Sequence, residues 1–99
     1  VGGLLPQRRM IEIVQDAGLI FLGSGLTDPD IGFAASVQVY AAYGLAYPAA
    51  LNGPQFLDAT IASSGVRVEA GEAVVPTGHG LGVTIDEDRL ASLALDLGL

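Results

Sequence analysis

Five polar side chains lie directly after two short apolar segments of this sequence. Ser24, Thr27 and Asp28 follow the run LIFL, and Asn52 and Gln55 follow the run AAL. A carboxylate such as Asp28 can exchange a proton with a substrate, and hydroxyl and amide groups can hydrogen-bond a substrate oxygen. Asp28 is therefore the candidate catalytic residue, and the other four are candidate substrate-binding residues.

The same residues also have a purely structural interpretation. An Asp before a Pro is typical of a helix start, with Asp28 as the N-cap, Pro29 at the first helical position and Asp30 in a solvated first turn. Asn52 and Gln55 would then bind backbone groups of their own loop. The sequence leaves both interpretations open.

Composition excludes several other chemistries. The 99 residues include no Cys and no Lys, so the chain has no disulfide, no thiol nucleophile and no lysine base. A net charge of −7 with scattered Arg residues argues against nucleic-acid binding. His79 lies in GHGLG, which lacks the dinucleotide-binding spacing. The consecutive acids 86–88 would point in different directions on a helix, so we predict no metal ligands within this chain.

The charge-free stretch 31–57 is interpreted as buried structure and not as a membrane span. Gly44, Pro48 and Pro54 interrupt it, and a spanning helix needs about 20 apolar residues. The amino-terminal residues show no basic segment followed by an apolar one. We expect a cytoplasmic protein that binds no membrane.

The first part of the chain predicts alternating helices and strands. Apolar residues at helical spacing predict a helix over 5–17, and a second helix is expected from Asp28-Pro29 to about Tyr43, where Gly44 ends it. The continuous apolar runs 19–22 and 49–51 are typical of strands covered on both faces. This order predicts an α/β fold with a parallel sheet.

The second part of the chain has a different pattern. Alternation over 66–69 and 72–75 around Ala70-Gly71 predicts a hairpin. Asp86 is expected to cap a last helix that includes Leu90, Leu93 and Leu95. We therefore divide the chain into two segments, 1–57 and 58–99.

Four stretches carry a resemblance to the enolase superfamily, in its muconate cycloisomerase and mandelate racemase branch. They read VGGLLPQRRMIEIVQDAGL, LGSGLTDPDIGFAAS, ALNGPQFL and VPTGHGLGVTIDEDRLA, and the last is the most specific. The resemblance implies that 1–57 is a partial β/α barrel, namely the last helix–strand–helix–strand of an enolase-type barrel. It also implies that 58–99 is a C-terminal hairpin and helix that return to the capping domain.

The resemblance implies a function as well. The parent enzyme would be magnesium-dependent and would abstract a proton α to a carboxylate, as a lactonising muconate-type cycloisomerase acting on a small carboxylate substrate. In such enzymes the metal ligands and the lysine acid/bases lie on strands that this chain does not include. These 99 residues would supply a pocket wall. They would either need the rest of the barrel or self-associate.

Two alternatives stay open beside that function. The chain could be a noncatalytic barrel fragment or split half that acts only with a partner chain. It could also be the tail of a sugar-acid dehydratase or racemase of the same superfamily.

The chain departs from the family pattern at both strand ends. Thr27 stands where related sequences often have Glu, and one extra residue precedes Ile31-Gly32, so Asp28 is the near substitute for that carboxylate. Related dipeptide epimerases usually have Asp-x-Asp where this chain has Ala50-Leu51-Asn52. An amino-acid-derived substrate is therefore not expected.

Overall fold

The computed structural model describes residues 1–95 and shows an α/β fold with three helices and two small sheets. The helices are α1 (Leu4–Asp16), α2 (Asp30–Tyr43) and α3 (Glu87–Leu93), and Pro54–Phe56 forms a single 3₁₀ turn. The strands are β1 (Ala62–Ser64), β2 (Val68–Glu69), β3 (Glu72–Ala73) and β4 (Thr84–Ile85).

Helix α1 confirms the prediction for 5–17 to within one residue at each end. It buries Ile11 completely, while Ile13 on the opposite side of the helix stays 68% exposed. The chain turns away at Gly18, whose φ of +69° is readily adopted only by a residue without a Cβ. Ile11 packs with Val39 and Tyr40 of α2 in a small apolar core.

Helix α2 is the central element of the described structure, because it is buried on more than one side. Val39 and Tyr40 face α1, and Phe33 lies against the backbone at Gly53. A helix that is apolar nearly all round is expected to be covered on several sides. The predicted end is also confirmed, since Gly44 adopts the left-handed conformation with φ +53°.

The predicted start of α2 is wrong in detail. The helix begins at Asp30, Pro29 is the N-cap residue with ψ of 169°, and no side chain caps the helix. The Asp28 N–H instead donates to the Asn52 carbonyl at 3.1 Å, which keeps Asp28 outside the helix. The expectation that Asp30 is solvated is also wrong, because its carboxylate is only 5% exposed.

The two predicted parallel strands form only one bridge, between Ser24 and Ala50. Its hydrogen bonds run from the Gly25 N–H to Ala50 O at 3.0 Å and from the Ala50 N–H to Gly23 O at 2.9 Å. The run 19–22 is not a strand in this structure. A strand of a parallel sheet needs ladder partners and cover on both faces, and Leu19, Ile20 and Leu22 are more than 60% exposed here.

The second part of the chain contains all four short strands. Strands β2 and β3 pair antiparallel across Ala70 and Gly71, whose φ values of +50° and +82° suit a tight hairpin turn. Strand β1 pairs antiparallel with β4, which the sequence analysis did not predict.

Helix α3 confirms Asp86 as its N-cap, since the carboxylate accepts from the Arg89 N–H at 3.0 Å. The helix ends at Leu93, so the expectation that it includes Leu95 is wrong, and residues 96–99 of the predicted segment lie outside the described residues. Within residues 1–95 no helix has the length and apolar character needed to cross a membrane.

Candidate functional site

The structure brings the two loops with the predicted site residues together. One loop, 23–29, follows the first extended segment, and the other, 50–55, follows the second. The Ser24–Ala50 bridge joins the loops at their base. Farther out, the Asp28 N–H donates to Asn52 O at 3.1 Å and the Asn52 side-chain amide donates to Gly25 O at 3.3 Å. The candidate residues therefore share one edge of the fold, as predicted for parallel segments.

Two glycines create the space that Asp28 occupies. A Cβ at Gly25 would collide with the Asp28 carboxylate. A Cβ at Gly53 would lie 2.6 Å from the Asp28 carbonyl oxygen and 2.8 Å from the Phe33 ring. Gly53 therefore requires glycine for close backbone approach, whereas a side chain at Gly25 would displace the Asp28 carboxylate.

The half-buried Asp28 side chain lines an open cavity of about 400 Å³. The cavity also has Ser24, Ser36 and Gln7 in its wall, and residues 1–4 close one side. A carboxylate, two hydroxyls and an amide on one wall form a surface that can accept hydrogen bonds from a ligand and donate to it. This surface has no positively charged side chain.

Thr27 and Ser24 face solvent at the rim of the loop. Thr27 has a left-handed backbone with φ +52°, which is uncommon for a β-branched residue. Its hydroxyl donates to the carbonyl of the adjacent Leu26 at 2.7 Å. Strained, exposed backbone of this kind occurs often at functional loops, although the observation by itself assigns no role.

The side-chain amides of Asn52 and Gln55 both bind backbone groups. Asn52 donates to Gly25, as described above. Gln55 accepts from the Gly53 N–H at 3.1 Å and donates to Leu51 O at 3.3 Å. In this structure Gln55 binds backbone groups of its own loop, as in the structural interpretation, whereas the Asn52 amide joins the second loop to the first. The substrate contacts of both residues stay a prediction.

Two supports of the first loop were not found in the sequence. The buried Tyr40 hydroxyl donates to Ser24 O at 3.4 Å and accepts from the Gln7 amide at 3.1 Å. The buried Asp30 carboxylate accepts a short hydrogen bond from the Thr60 hydroxyl. Periodicity placed Tyr40 and Asp30 on a helix, but a partner distant in sequence leaves no local signal.

A metal ion finds no ready site among residues 1–95. No group of three or more His, Asp or Glu side chains lies close enough to hold one. Asp86 is engaged as the cap of α3 and forms an ion pair with Arg89 at 3.5 Å. The residues present therefore do not fit a magnesium site.

A second open cavity, of about 620 Å³, lies over the second part of the chain. It is lined by β1, β4 and the loop 75–82, and it includes the exposed His79 and Arg67. Arg67 is paired with Glu69 at 2.6 Å. None of the residues that line this cavity belongs to the Asp28 cavity, so the structure does not bring His79 into the candidate site.

A family model described as enolase C-terminal domain-like matches residues 1–89. The chain belongs to this family. Chloromuconate cycloisomerase of Cupriavidus necator is 31% identical over 91 residues, which are 91% of this chain and 25% of that protein. Muconate cycloisomerase 1 of Acinetobacter baylyi is 31% identical over 93 residues, which are 93% of this chain and 25% of that protein.

Solved structures show the same likeness for this enolase C-terminal domain-like chain. The crystal structure of 2-chloromuconate cycloisomerase from Rhodococcus opacus aligns with a TM-score of 0.88 at 31% identity, over 96% of this chain and 26% of that one. The muconate lactonizing enzyme of Klebsiella pneumoniae aligns with a TM-score of 0.81 at 27% identity, over 87% and 24%. The chain thus spans about a quarter of the length of the proteins it matches.

Proposed function

We propose that this chain forms the C-terminal part of a magnesium-dependent enzyme that acts at the carbon α to a carboxylate, as a muconate-type cycloisomerase. The observation that carries the proposal is the TM-score of 0.88 to 2-chloromuconate cycloisomerase over 96% of the chain. The relatives that match by sequence, at 31% identity over more than 90% of this chain, are also muconate and chloromuconate cycloisomerases, which supports a shared reaction beyond a shared fold.

In the proposed reaction, a carboxylate oxygen of the diacid adds to the conjugated double bond and closes a lactone. Negative charge develops on the carbon chain beside the second carboxylate, and that carbon takes a proton. In the reverse direction the same proton is abstracted. Asp28 is the group of this chain that we propose to handle a proton, because its carboxylate lines the open cavity beside the first loop and the starts of α1 and α2.

The remaining site residues are proposed as pocket wall. The Ser24 side chain is exposed beside Asp28, and Asn52 and Gln55 shape the second loop. Since no metal cluster exists among residues 1–95, we propose that magnesium is held by other parts of a longer protein. We propose likewise that 1–57 completes a β/α barrel and that 58–99 packs against a capping domain.

A second proposal concerns partners, and the exposed apolar surface favours it. Leu19, Ile20 and Leu22 of the first extended segment are 64%, 63% and 65% exposed, and Leu26 of the loop that follows is 84% exposed. Apolar residues beside an unpaired strand edge promote association. We propose that the 99-residue chain either requires complementary barrel segments or self-associates.

The reaction is tested on the longest protein whose reading frame contains this chain. Purified protein with magnesium is incubated with muconate, with a chlorinated muconate and with sugar acids, and the products are identified by NMR. We expect lactone from a muconate. Turnover of a sugar acid alone would replace the proposal with the dehydratase or racemase alternative, and absence of any turnover would favour a noncatalytic role.

The role of Asp28 is tested with Asp28→Asn against Asp58→Asn, a matched change at an exposed carboxylate outside the loop. General acid–base groups contribute on the order of a hundredfold or more, so we expect Asp28→Asn to lower kcat/KM by that amount and Asp58→Asn to leave it unchanged. Equal kcat/KM values for the two variants would remove Asp28 from the mechanism.

Association is tested by sedimentation velocity on the 99-residue chain. We expect oligomers, and we expect Leu22→Glu to reduce them because it places a charge on the apolar segment. A monomer that unfolds cooperatively at all concentrations would contradict this second proposal.

A further inference from the structure

The Asp30 carboxylate is buried where the sequence predicts a solvated one. It is 5% exposed, although it is the first residue of a helix and follows an open loop. Burial of a carboxylate is unfavourable unless hydrogen bonds or charges compensate it. The start of α2 provides part of that compensation, since the amino end of a helix favours negative charge.

Thr60 provides a specific partner for the Asp30 carboxylate. The Thr60 hydroxyl donates to Asp30, and the same oxygen accepts from the Ala62 N–H at 3.1 Å. The Thr60 oxygen accepts from the Ala62 N–H through a lone pair, so its one proton is donated to the Asp30 carboxylate. On the other side of the carboxylate, a Cβ at Gly65 would come within 3.0 Å of Asp30 Oδ1. Residues 60–65 therefore enclose the carboxylate.

This contact fixes one end of the loop that carries Asp28. The Ser24–Ala50 bridge fixes the other end, and the Asp28 N–H is held by Asn52 O. Pro29 alone separates Asp28 from Asp30. The proline ring restricts the φ of Pro29 to the region of the observed −67°. A movement of the Asp30 backbone therefore moves the Asp28 backbone by a similar amount.

We propose that Asp30 is a positioning residue whose contact with Thr60 holds the Asp28 carboxylate at its place in the cavity. The proposal rests on the proposed function for the part that concerns catalysis. It assigns a role in the site to the start of β1, a part of the chain that contributes no group to the cavity around Asp28. Without the contact this end of the loop keeps the Asp28 N–H bond to Asn52 O but loses its anchor at Asp30, and small displacements of reacting groups lower rates strongly.

The test uses Asp30→Asn and Thr60→Val in the longest protein that contains this chain, with Thr60→Ser as the conservative variant that keeps the hydroxyl. We expect each of the first two to lower kcat on the order of tenfold with a small change in KM. The double variant should be no worse than either single one, because both remove the same contact. Thr60→Ser keeps the hydroxyl, so we expect it to retain the activity of the wild-type protein.

A merely structural role predicts a different result. In that case the unfolding midpoint would fall while kcat and KM of the folded fraction stayed at the wild-type values. That finding would overturn the proposal.

A second measurement separates this proposal from the proposed reaction. Amide hydrogen exchange at Asp28, whose N–H donates to Asn52 O, needs no substrate, and we expect it to accelerate on the order of tenfold in Asp30→Asn and Thr60→Val. If no variant and no wild-type protein turns over muconate but exchange accelerates, the reaction is wrong and the positioning contact stands. Unchanged exchange in the loop would remove Asp30 from its positioning role whatever the reaction.

Discussion

Residues 4–57 and residues 58–95 are held in place by different interactions. The first region buries apolar side chains of α1 and α2, with Ile11 at 0% exposure between the two helices and Phe33 at 2% against Gly53. The second region contributes one buried apolar residue to the core among those described, Ala62. Its hydrogen bonds to α2 are the Asp30–Thr60 contact and those of the Gln38 amide, which donates to Pro76 O at 2.7 Å and Leu81 O at 3.3 Å.

The two regions differ in what their interactions contribute: apolar burial stabilises the fold, and hydrogen bonds fix the position of loops. Burial of apolar area is the dominant favourable term in folding and has no preferred direction. Hydrogen bonds contribute less net stability each, but they fix orientation. The first region is therefore expected to determine whether this part of the protein folds, and the second to determine where loops over α2 are placed.

The largest expected effect is the loss of the apolar core in the first region. Ile11→Ala removes a fully buried side chain and should lower the free energy of unfolding by about 2–5 kcal/mol. Ile13→Ala is the matched control on the same helix, because Ile13 is 68% exposed, and it should change stability by no more than about 0.5 kcal/mol. Urea unfolding measures both, and equal values would refute the assignment of the core.

The next largest effect is expected in the loop 75–82, where alanine substitutions at two glycines test how tightly the second region is packed. Gly82 and Gly80 both have positive φ, +74° and +62°, so alanine is strained at either. Only at Gly82 would the new Cβ collide with Pro76, while the space at Gly80 is open. Gly82→Ala should cost about 1–3 kcal/mol more than Gly80→Ala. Similar losses in thermal unfolding would mean that the loop 75–82 adjusts freely.

A smaller effect concerns the amide that joins the two regions. Gln38→Met keeps the length of the side chain and removes both donors to the loop, so we expect a loss of about 1 kcal/mol. We also expect faster amide exchange at residues 76–82, with α1 unchanged. Gln15→Met, at an exposed position on α1, is the matched control. Exchange that is faster throughout the protein would mean that Gln38 belongs to the folding core.

The smallest effect is expected on the exposed side of the α1–α2 contact. The Tyr43 hydroxyl donates to Glu12 and accepts from the Arg8 guanidinium at 3.3 Å. The hydrogen bond and charge interaction with Tyr43, and then the charge of Glu12, raise the pKa of Arg8. Solvent screens such exposed contacts, so Tyr43→Phe should leave the unfolding midpoint unchanged near neutral pH.

The sign of the pH dependence follows from the direction of that shift. A raised pKa means that the folded state holds the Arg8 proton more tightly than the unfolded chain does. The contribution is therefore fully present at neutral pH and is lost only as the pH rises through the raised pKa. A pH-dependent difference between wild type and Tyr43→Phe below that range would contradict this account.

The helices could be predicted from the sequence because their signals are local. Apolar spacing identified α1, the Asp28-Pro29 start and Gly44 identified α2 and its end, and Asp86 identified the start of α3. Each of these signals involves residues within a few positions of one another. The confirmed bounds are therefore those set by short-range geometry.

The strands and the Asp30 contact could not be predicted in this way. Strand β1 pairs with β4, and Thr60 meets Asp30, across long stretches of chain. The run 19–22 has the composition of a strand, but strand formation also needs neighbours on each side. For the candidate site, the sequence placed Ser24 and Asn52 on neighbouring loops. It could not show that the Asn52 amide is turned toward the backbone at Gly25.

The pairing of β1 with β4 encloses the β2–β3 hairpin, and this nesting sets an order of folding events. Closing the chain directly between Ser64 and Thr84 carries the entropy loss of a long loop. The turn at Ala70-Gly71 closes a much shorter one, and hairpins of this size form in about 1–10 μs. Once the hairpin exists, the loop left to close is shorter. The outer pair should therefore form late, and substitutions at Ala62 should accelerate unfolding and leave the folding rate unchanged.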